Sequence, residues 1–394
     1  MPFSLNLRSG VNPMRFDWVS PSRILFGRGR ISEIGGLLAS WEKRILVIGG
    51  KSKERISPLV TLLHENGKET FLFQVRGEPS LPMVEEAVQL AREWNAEAIV
   101  AMGGGSVLDL AKAVAALFSN PGHLLEYLEV IGQGKPLLHS PIPLLAIPTT
   151  AGTGAEVTYN AVIFSPEHQV KVSLRNPMLV PRSVLIDPDV LATVPIEVAV
   201  ASGLDAFTQL IEPYTCISPN PLVDPLCVEG IRRIARSFLP SLQRPADPNA
   251  LEDMAFSALL SGLALANAKL GAVHGIAGPL GGLLGIPHGV ICARLLPVVM
   301  EKNIRSLQKD SLILSRYREI AQILTGRASA QPEEAVQWIH HIVETFHVPR
   351  LGDFGLNPSH FPFLVERSSK ASSMKGNPVP LGPTEIQEIL QKVI

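Results

Sequence analysis

The chain has 394 residues, 46% of them hydrophobic and 18% charged, and carries a formal net charge of −1. That balance suits a packed globular protein and excludes both a disordered chain and a broad basic surface for nucleic acid or acidic lipid. The length exceeds what one hydrophobic core usually serves, so two domains are expected.

In the N-terminal half, Arg23–Gly27 reads as a short strand and Ile31–Trp41 as a helix with apolar residues at Ile31, Ile34, Leu37 and Leu38. Arg44–Ile48 is a continuous apolar run closed by Gly49 and Gly50, the pattern of a strand buried on both faces. A helix is expected over Ser57–Glu65, a strand over Thr70–Val75, a helix over Pro82–Trp94 and a strand over Ala98–Met102. Such βαβαβ alternation predicts a doubly wound α/β domain.

The last of these strands runs into Gly103-Gly104-Gly105-Ser106, and a new apolar stripe follows at Val107, Leu110, Ala111, Val114 and Leu117. Strand, glycine turn and helix start in succession favour an anion at the free amides, typically a pyrophosphate. Ser106 is the expected N-cap. A tight turn without ligand has the same composition, and the motif is not the GxGxxG fingerprint. Further on, the strand Leu144–Ile147 leads into Pro148-Thr149-Thr150-Ala151-Gly152-Thr153-Gly154-Ala155-Glu156. A loop so dense in hydroxyls and glycines suits a polar ligand or simply an exposed turn. Val157–Phe164 and Lys171–Leu174 are expected to pair as strands, with a final strand at Val184–Ile186.

Beyond Pro195 the strand signals fade, and helical spacing appears from Ser202 onward, in Ala255–Ala268, Leu312–Leu324 and Glu333–Val343. An all-helical second domain is expected, with the boundary between 190 and 191. Asp205 and Gln209 stand four residues apart on one helix and so share a face. The apolar, glycine-rich stretch Gly271–Gly289 contains His274 and His288. Buried imidazoles need a hydrogen bond, a charge or a metal, and two core histidines on backbone carbonyls satisfy that as well as a metal pair does. The run on to Met300 is long enough for a membrane span, but prolines and charged groups break it, so a buried helical segment is expected. Asp205, His274 and His288 together would offer one oxygen and two nitrogens, the donor set of a zinc or iron site with an open position. The three cysteines, Cys216, Cys227 and Cys292, form no close-spaced metal pattern and read as reduced core fillers. Met1–Phe16 has no apolar stretch of signal-peptide length, so a cytoplasmic location is expected.

Across nearly its whole length the chain resembles the iron-containing (group III) alcohol dehydrogenases, which share a superfamily with glycerol dehydrogenase and dehydroquinate synthase. The match rests on Pro21–Gly27, Gly103-Gly-Gly-Ser-Val-Leu-Asp109-Leu-Ala-Lys112, Pro148–Glu156, Gly203-Leu-Asp205-Ala, His274 and Pro287-His288-Gly289. The resemblance implies an α/β dinucleotide-binding domain followed by an all-α metal and substrate domain, with the active site in the cleft between them. It assigns Gly104, Gly105, Ser106 and Asp109 to the pyrophosphate site, and Thr149, Thr150, Thr153, Asn160 and Lys171 to the rest of the cofactor groove. Asp205, His274 and His288 match three of the family's four metal ligands, for Fe2+ or Zn2+. The fourth is usually a histidine one turn after the aspartate, where this chain has Gln209, a neutral and weaker donor. A histidine common in the family four residues after His274 is replaced by Gly278, leaving proton delivery to water or another group.

Where NAD-preferring relatives carry an aspartate after the first dinucleotide-binding strand, this chain has Gly50, followed by Lys51, Ser52, Lys53 and Arg55. Glycine with nearby cations accepts a 2′-phosphate that a carboxylate would repel, so NADP is expected over NAD. The same cations also fit a solvated helix start. The implied activity is hydride transfer between nicotinamide and a small alcohol or aldehyde, by a homodimer or larger homo-oligomer. The alternatives are a metal-free reductase resembling maleylacetate reductase, a lyase like dehydroquinate synthase, and a catalytically degenerate dinucleotide-binding protein.

Overall fold

A computed structural model describes residues 15–394. Nearly all of the Met1–Phe16 stretch read for a leader lies outside the described residues. Among the described residues eight strands form: β1 (Arg23–Phe26), β2 (Arg44–Gly49), β3 (Glu69–Gln74), β4 (Ala98–Gly103), β5 (Leu144–Pro148), β6 (Asn160–Ser165), β7 (Val170–Arg175) and β8 (Ser183–Ile186). The helices of this half are α1 (Ile34–Leu37), α2 (Lys53–Glu65), α3 (Leu81–Glu93), α4 (Gly105–Ser119) and α5 (Leu124–Tyr127). The helix expected over Ile31–Trp41 is a 3-10 turn at Arg30–Glu33 followed by the single turn α1. Gly35 and Gly36 lie within α1, and glycine is a poor helix former.

Six strands make one sheet in the order β1-β8-β5-β4-β2-β3, all parallel. Alternate side chains of β2, β4 and β5 face opposite layers, which is why these strands read as unbroken apolar runs. Leu46, Ile48, Ile99, Ala101 and Ala146 pack on α3 and α4, whereas Ile45, Val47, Val100, Leu145 and Ile147 pack on α1 and α2. The chain therefore changes face between β2 and β4. At such a switch the loops after neighbouring strands diverge and leave a crevice at the carboxyl edge.

The remaining strands, β6 and β7, form an antiparallel hairpin over α4. The first strand of this pair starts at Asn160 and not at Val157, because Val157 is buried beside α8 (Pro248–Asn267), its amide turned to Gly154. Asp109 and Lys112 of α4 fasten the hairpin. Asp109 accepts the Val162 amide at 3.1 Å and pairs with Lys112 Nζ at 2.9 Å. Lys112 also donates to the carbonyls of Ala155, at 2.9 Å, and Asn160.

A 3-10 turn at Pro188–Thr193 leads from β8 into a wholly helical second half. It comprises α6 (Ile196–Thr215), α7 (Val223–Ser241), α8, α9 (Ala272–Leu284), α10 (His288–Ser306), α11 (Leu312–Thr325), α12 (Pro332–Thr345), α13 (Phe361–Lys370) and α14 (Pro383–Lys392). At the centre, α6 packs against α7, α8 and α10 and is buried throughout Gly203–Thr215. The expected buried segment after Gly271 is two helices, because Gly285 (φ 65°) ends α9 and Pro287 opens α10. Among the described residues no single helix is long and apolar enough to cross a membrane. Only α8 and α9 taken together reach that length, and they meet at 94°.

Candidate active site

Helix α6 carries five polar residues in its buried stretch: Asp205, Thr208, Gln209, Glu212 and Thr215. Both threonines return their hydroxyls to carbonyls of the preceding turn, at 2.7 Å and 2.8 Å. Asp205, Gln209 and Glu212 are left as a polar stripe on one face, spaced by four and three residues.

Two further helices start against this stripe. The first turn of α9 holds His274, and its free amides are capped from outside the helix. Val273 donates to Glu212 Oε1 at 2.7 Å and Ala272 to Asn377 Oδ1 at 3.2 Å. The first residue of α10 is His288. Its neighbour Gly289 permits the approach, since a Cβ there would meet the Ala201 carbonyl oxygen of α6 at 2.5 Å.

His274 Nδ1 lies 2.6 Å from Glu212 Oε2, so Nδ1–H donates to the carboxylate and Nε2 faces Asp205. His274 Nε2 and His288 Nε2 each stand 3.7 Å from Asp205 Oδ1, beyond hydrogen-bond reach. Asp205 Oδ1 and His274 Nε2 are buried with no hydrogen-bond partner. Orphaned polar atoms in a packed interior are costly, and two facing one point define a place for a cation.

The sequence-predicted donors Asp205, His274 and His288 thus come together. Gln209 is buried one turn beyond Asp205, and its Oε1 lies 3.1 Å from Ser261 Oγ on α8. Gly278 is exposed, and nothing stands where its Cβ would be. Cys292 departs from its reading as a core filler. One turn after His288, it brings its thiol into the same group, and the donor atoms of Asp205, His274, His288 and Cys292 all lie within 4.8 Å of one another. Cys216 and Cys227 are free and buried. Two residues were missed in the sequence, and each had a signal. Glu212 is a carboxylate seven residues after Asp205 in an apolar helix, and Cys292 is four after His288.

The electrostatics are those of a carboxylate between imidazoles. Burial opposes charge on Asp205, yet His288 and His274 hold its carboxyl below the usual range. For His274, burial is outweighed by Glu212 and Asp205, which push the imidazole up to about 9. Burial dominates at His288 and lowers it, favouring the neutral ring that can ligate. The Cys292 thiol is pushed well up by burial and by the carboxylates of Asp205 and Glu212.

Of the residues expected to hold a dinucleotide, Gly50, Ser52, Gly104, Gly105, Ser106, Thr149, Thr150 and Thr153 lie at the carboxyl edge of the sheet, whereas Asp109 is on α4 and Asn160 and Lys171 are on the β6–β7 hairpin. Gly50 follows β2, with open space where a Cβ would stand. Ser52 caps α2, accepting from the Arg55 amide at 3.4 Å, and donates to Glu54 at 2.8 Å. Arg55 turns inward to the Val190 carbonyl at 3.0 Å, while Lys51 and Lys53 are exposed.

Gly104, and not the expected Ser106, is the N-cap of α4, because the extended backbone of β4 reaches Gly103 and the helix opens at Gly105. Ser106 is the second helical residue. A Cβ on Gly104 would lie 3.3 Å from Thr150 Oγ1, and one on Gly105 2.9 Å from Thr153 Oγ1, so the glycine turn and the threonine loop pack against each other at this edge of the sheet. Thr149 is buried and donates its amide to Gly103 at 3.0 Å. Asp109 and the Asn160 carbonyl are engaged with Lys112. Lys171 on β7 stands 3.3 Å from Glu78 and beside Gly281 of α9. The threonine loop also reaches the helical half, since a Cβ on Gly152 would meet Ser202 of α6 at 2.5 Å. Crevice and donor cluster therefore adjoin.

An open parallel sheet with its crevice against a helical half that carries a buried carboxylate–imidazole cluster defines the class, and sequence comparison gives the family. The family model described as iron-containing alcohol dehydrogenase matches residues 21–188, and that of the Fe-containing alcohol dehydrogenase family, C-terminal, matches 199–394. Alcohol dehydrogenase 4 of Saccharomyces cerevisiae (strain YJM789) is 31% identical over 378 residues, covering 94% of this chain and 97% of the relative. The 1,3-propanediol dehydrogenase of Citrobacter freundii is 32% identical over 392 residues, covering 96% and 98%. Among solved structures, a 1,3-propanediol oxidoreductase superposes with a TM-score of 0.89 at 28% identity, over 97% of this chain and 100% of that one. A sulfoacetaldehyde reductase from Bifidobacterium kashiwanohense, in complex with NAD+, gives 0.85 at 25% identity, over 96% and 99%. The chain belongs to the iron-containing alcohol dehydrogenase family and is an oxidoreductase acting on alcohols. That family implies a nicotinamide cofactor and a divalent metal, usually iron.

Proposed function

We propose that the chain is an NADP(H)-dependent alcohol dehydrogenase that works largely as an aldehyde reductase, with a divalent metal held by Asp205, His274 and His288. The observation that carries this reading is the pair of buried, partnerless atoms, Asp205 Oδ1 and His274 Nε2, which face the same point as His288 Nε2. One oxygen and two imidazole nitrogens are donors that fit Fe2+ or Zn2+. When bound, such an ion supplies Lewis acidity toward the carbonyl oxygen, and the nicotinamide supplies the hydride.

The chain's own residues bind and orient. The amides at the start of α4, Gly104 to Ser106, present the positive end of a helix to a pyrophosphate. Gly50 leaves room beside the ribose, and Lys51 and Lys53 are the cations available to a 2′-phosphate, because Arg55 is turned away. Glu212 holds the His274 tautomer that keeps Nε2 available. With Gly278 in open space, no side chain at that position delivers a proton, and water reaching the half-exposed His288 serves instead. A second reading has one observation in its favour. His274, pushed up to about 9, is a cation at neutral pH without metal and would polarise a carbonyl directly.

The test is metal content by elemental analysis after purification without oxygen or chelator, followed by kcat/KM for NADPH and NADH on an aldehyde panel. About one ion per chain, chelator-sensitive turnover and a preference for NADPH are expected. Turnover unaffected by chelator points to the metal-free reading, and a clear NADH preference overturns the cofactor assignment.

A further inference from the structure

One member of the donor cluster has no place in the family's ligand pattern. Cys292 is fully buried on α10, one turn after His288, and its Sγ lies 3.5 Å from His288 Nε2. Gln209, at the position of the missing family histidine, has its only ligating atom within 3.1 Å of the Ser261 hydroxyl on α8. The cluster thus has a thiol, hydrogen-bonded to His288, where the helix α6 donor is weak.

We propose that Cys292 is a fourth metal ligand, giving an Asp205–His274–His288–Cys292 site that prefers Zn2+ to Fe2+. The proposal rests on the metal-site reading above. Distances support it. Zinc bonds of about 2.3 Å to sulfur and about 2.05 Å to nitrogen or oxygen, at tetrahedral angles, need donor separations of about 3.6 Å for S···N and about 3.4 Å for N···O. The structure has 3.5 Å for Cys292–His288 and 3.7 Å for each histidine to Asp205. The other three donor pairs lie within 4.8 Å, so binding draws those side chains in by up to about 1.4 Å.

Asp205 Oδ1 is 1% exposed at the residue level and has no hydrogen-bond partner, so the cluster contains an unsatisfied acceptor aimed at its centre. A thiolate beside the Asp205 carboxylate also balances a doubly charged ion inside a buried site, which the neutral amide of Gln209 does not. Binding forms a metal–sulfur bond and releases the thiol proton to solvent, with no change of oxidation state. Sulfur is the soft donor of the set and selects zinc over iron(II). Substrate oxygen would then enter as a fifth donor, an expansion that zinc tolerates.

The test uses Co2+ as a spectroscopic stand-in on the full-length, metal-free protein. Titration is expected to saturate at one Co2+ per chain with an intense near-ultraviolet sulfur-to-cobalt charge-transfer band. Zn2+ should bleach the band at equimolar amounts, and Fe2+ only in excess. Cys292→Ser should abolish the band and weaken metal binding by about 100-fold or more, given that losing an outer partner alone costs 10–100-fold. Gln209→Ala should keep the band. If the serine variant does not fold, Cys216→Ala/Cys227→Ala decides: those thiols sit near Asp224 and Arg316, outside the cluster, so that variant should keep the band, and its loss would overturn the Cys292 assignment. One Co2+ bound without the band overturns the thiolate ligand and leaves the three-donor metal site standing. No uptake of Co2+ or Zn2+ overturns both readings, and Fe2+ displacing Co2+ as readily as Zn2+ overturns the zinc preference.

Discussion

Glu156 ends the threonine loop with a carboxyl that is only 3% exposed, and burial pushes it up to about 7, against its own backbone amide and the charge of Lys112. A folded-state value above the unfolded one means that the native state holds the proton more tightly. The associated stability is complete below about 4.5 and is lost as pH rises through about 7. Glu156→Gln removes the ionisation, so the variant should match the wild type near pH 4.5 and exceed it at pH 8.5. The gain should be on the order of 3 kcal/mol in urea denaturation. Equal pH dependence of the two proteins would show that the carboxyl is not desolvated. Glu156 was visible in the sequence only as the end of a polar loop, since nothing local to it says that α8 covers that loop. The histidines were different: their apolar, glycine-rich surroundings marked them as buried, and buried imidazoles need partners. Glu212, the partner of His274, was marked only as a carboxylate in an apolar helix; that it meets a histidine 62 residues away was not written beside it.

At the scale of elements, the junction between the two halves is made by glycines on facing backbones. Gly154 has φ 61°, a left-handed conformation that costs other residues energy, and a Cβ there would come within 2.2 Å of the Gly262 Cα on α8. A Cβ on Gly262 would in turn meet Val157 Cγ2 at 2.6 Å and Gly154 Cα at 2.7 Å. Gly262→Ala should therefore push α8 off the threonine loop, with a loss of roughly 1–3 kcal/mol in stability. NADPH binding should weaken with it, measured by fluorescence titration. Unchanged affinity and melting temperature would show that the helix shifts without cost. The strands β2, β4 and β5 and helices α11 and α12 were legible to within a residue or two, because burial on two faces or one stripe writes a pattern into consecutive residues. The starts of α2 and α8 were read several residues late. Pro58 sits inside α2, and the first turns of α8 are capped by Asp247 and Pro248 ahead of the apolar run.

For the whole molecule, the donor cluster joins α6 to the consecutive helices α9 and α10, which lie more than fifty residues further along the chain. An ion there binds only the folded protein, so Zn2+ at about 100 times its dissociation constant should add about 2.7 kcal/mol of stability. The melting temperature should rise by a few degrees and return on chelation. His274→Ala should lose that response, and its persistence in the variant would place the ion elsewhere. His274 must shed a proton to ligate, so the response should also strengthen as pH rises toward about 9.

By itself the sequence determined the two-layer logic of the chain: which runs are buried, where strands give way to helices, and that Asp205, His274 and His288 require partners. Those are properties of neighbouring residues and their spacing, so one dimension records them. Only the tertiary structure decided that the three share one point, that Glu212 sets the His274 tautomer, that Arg55 faces inward, and that Cys292 joins the donors. Each of these depends on how α6, α9 and α10 cross, or on which loop a helix covers. Such choices are made by packing between distant segments, which leaves little trace in the residues next to the site.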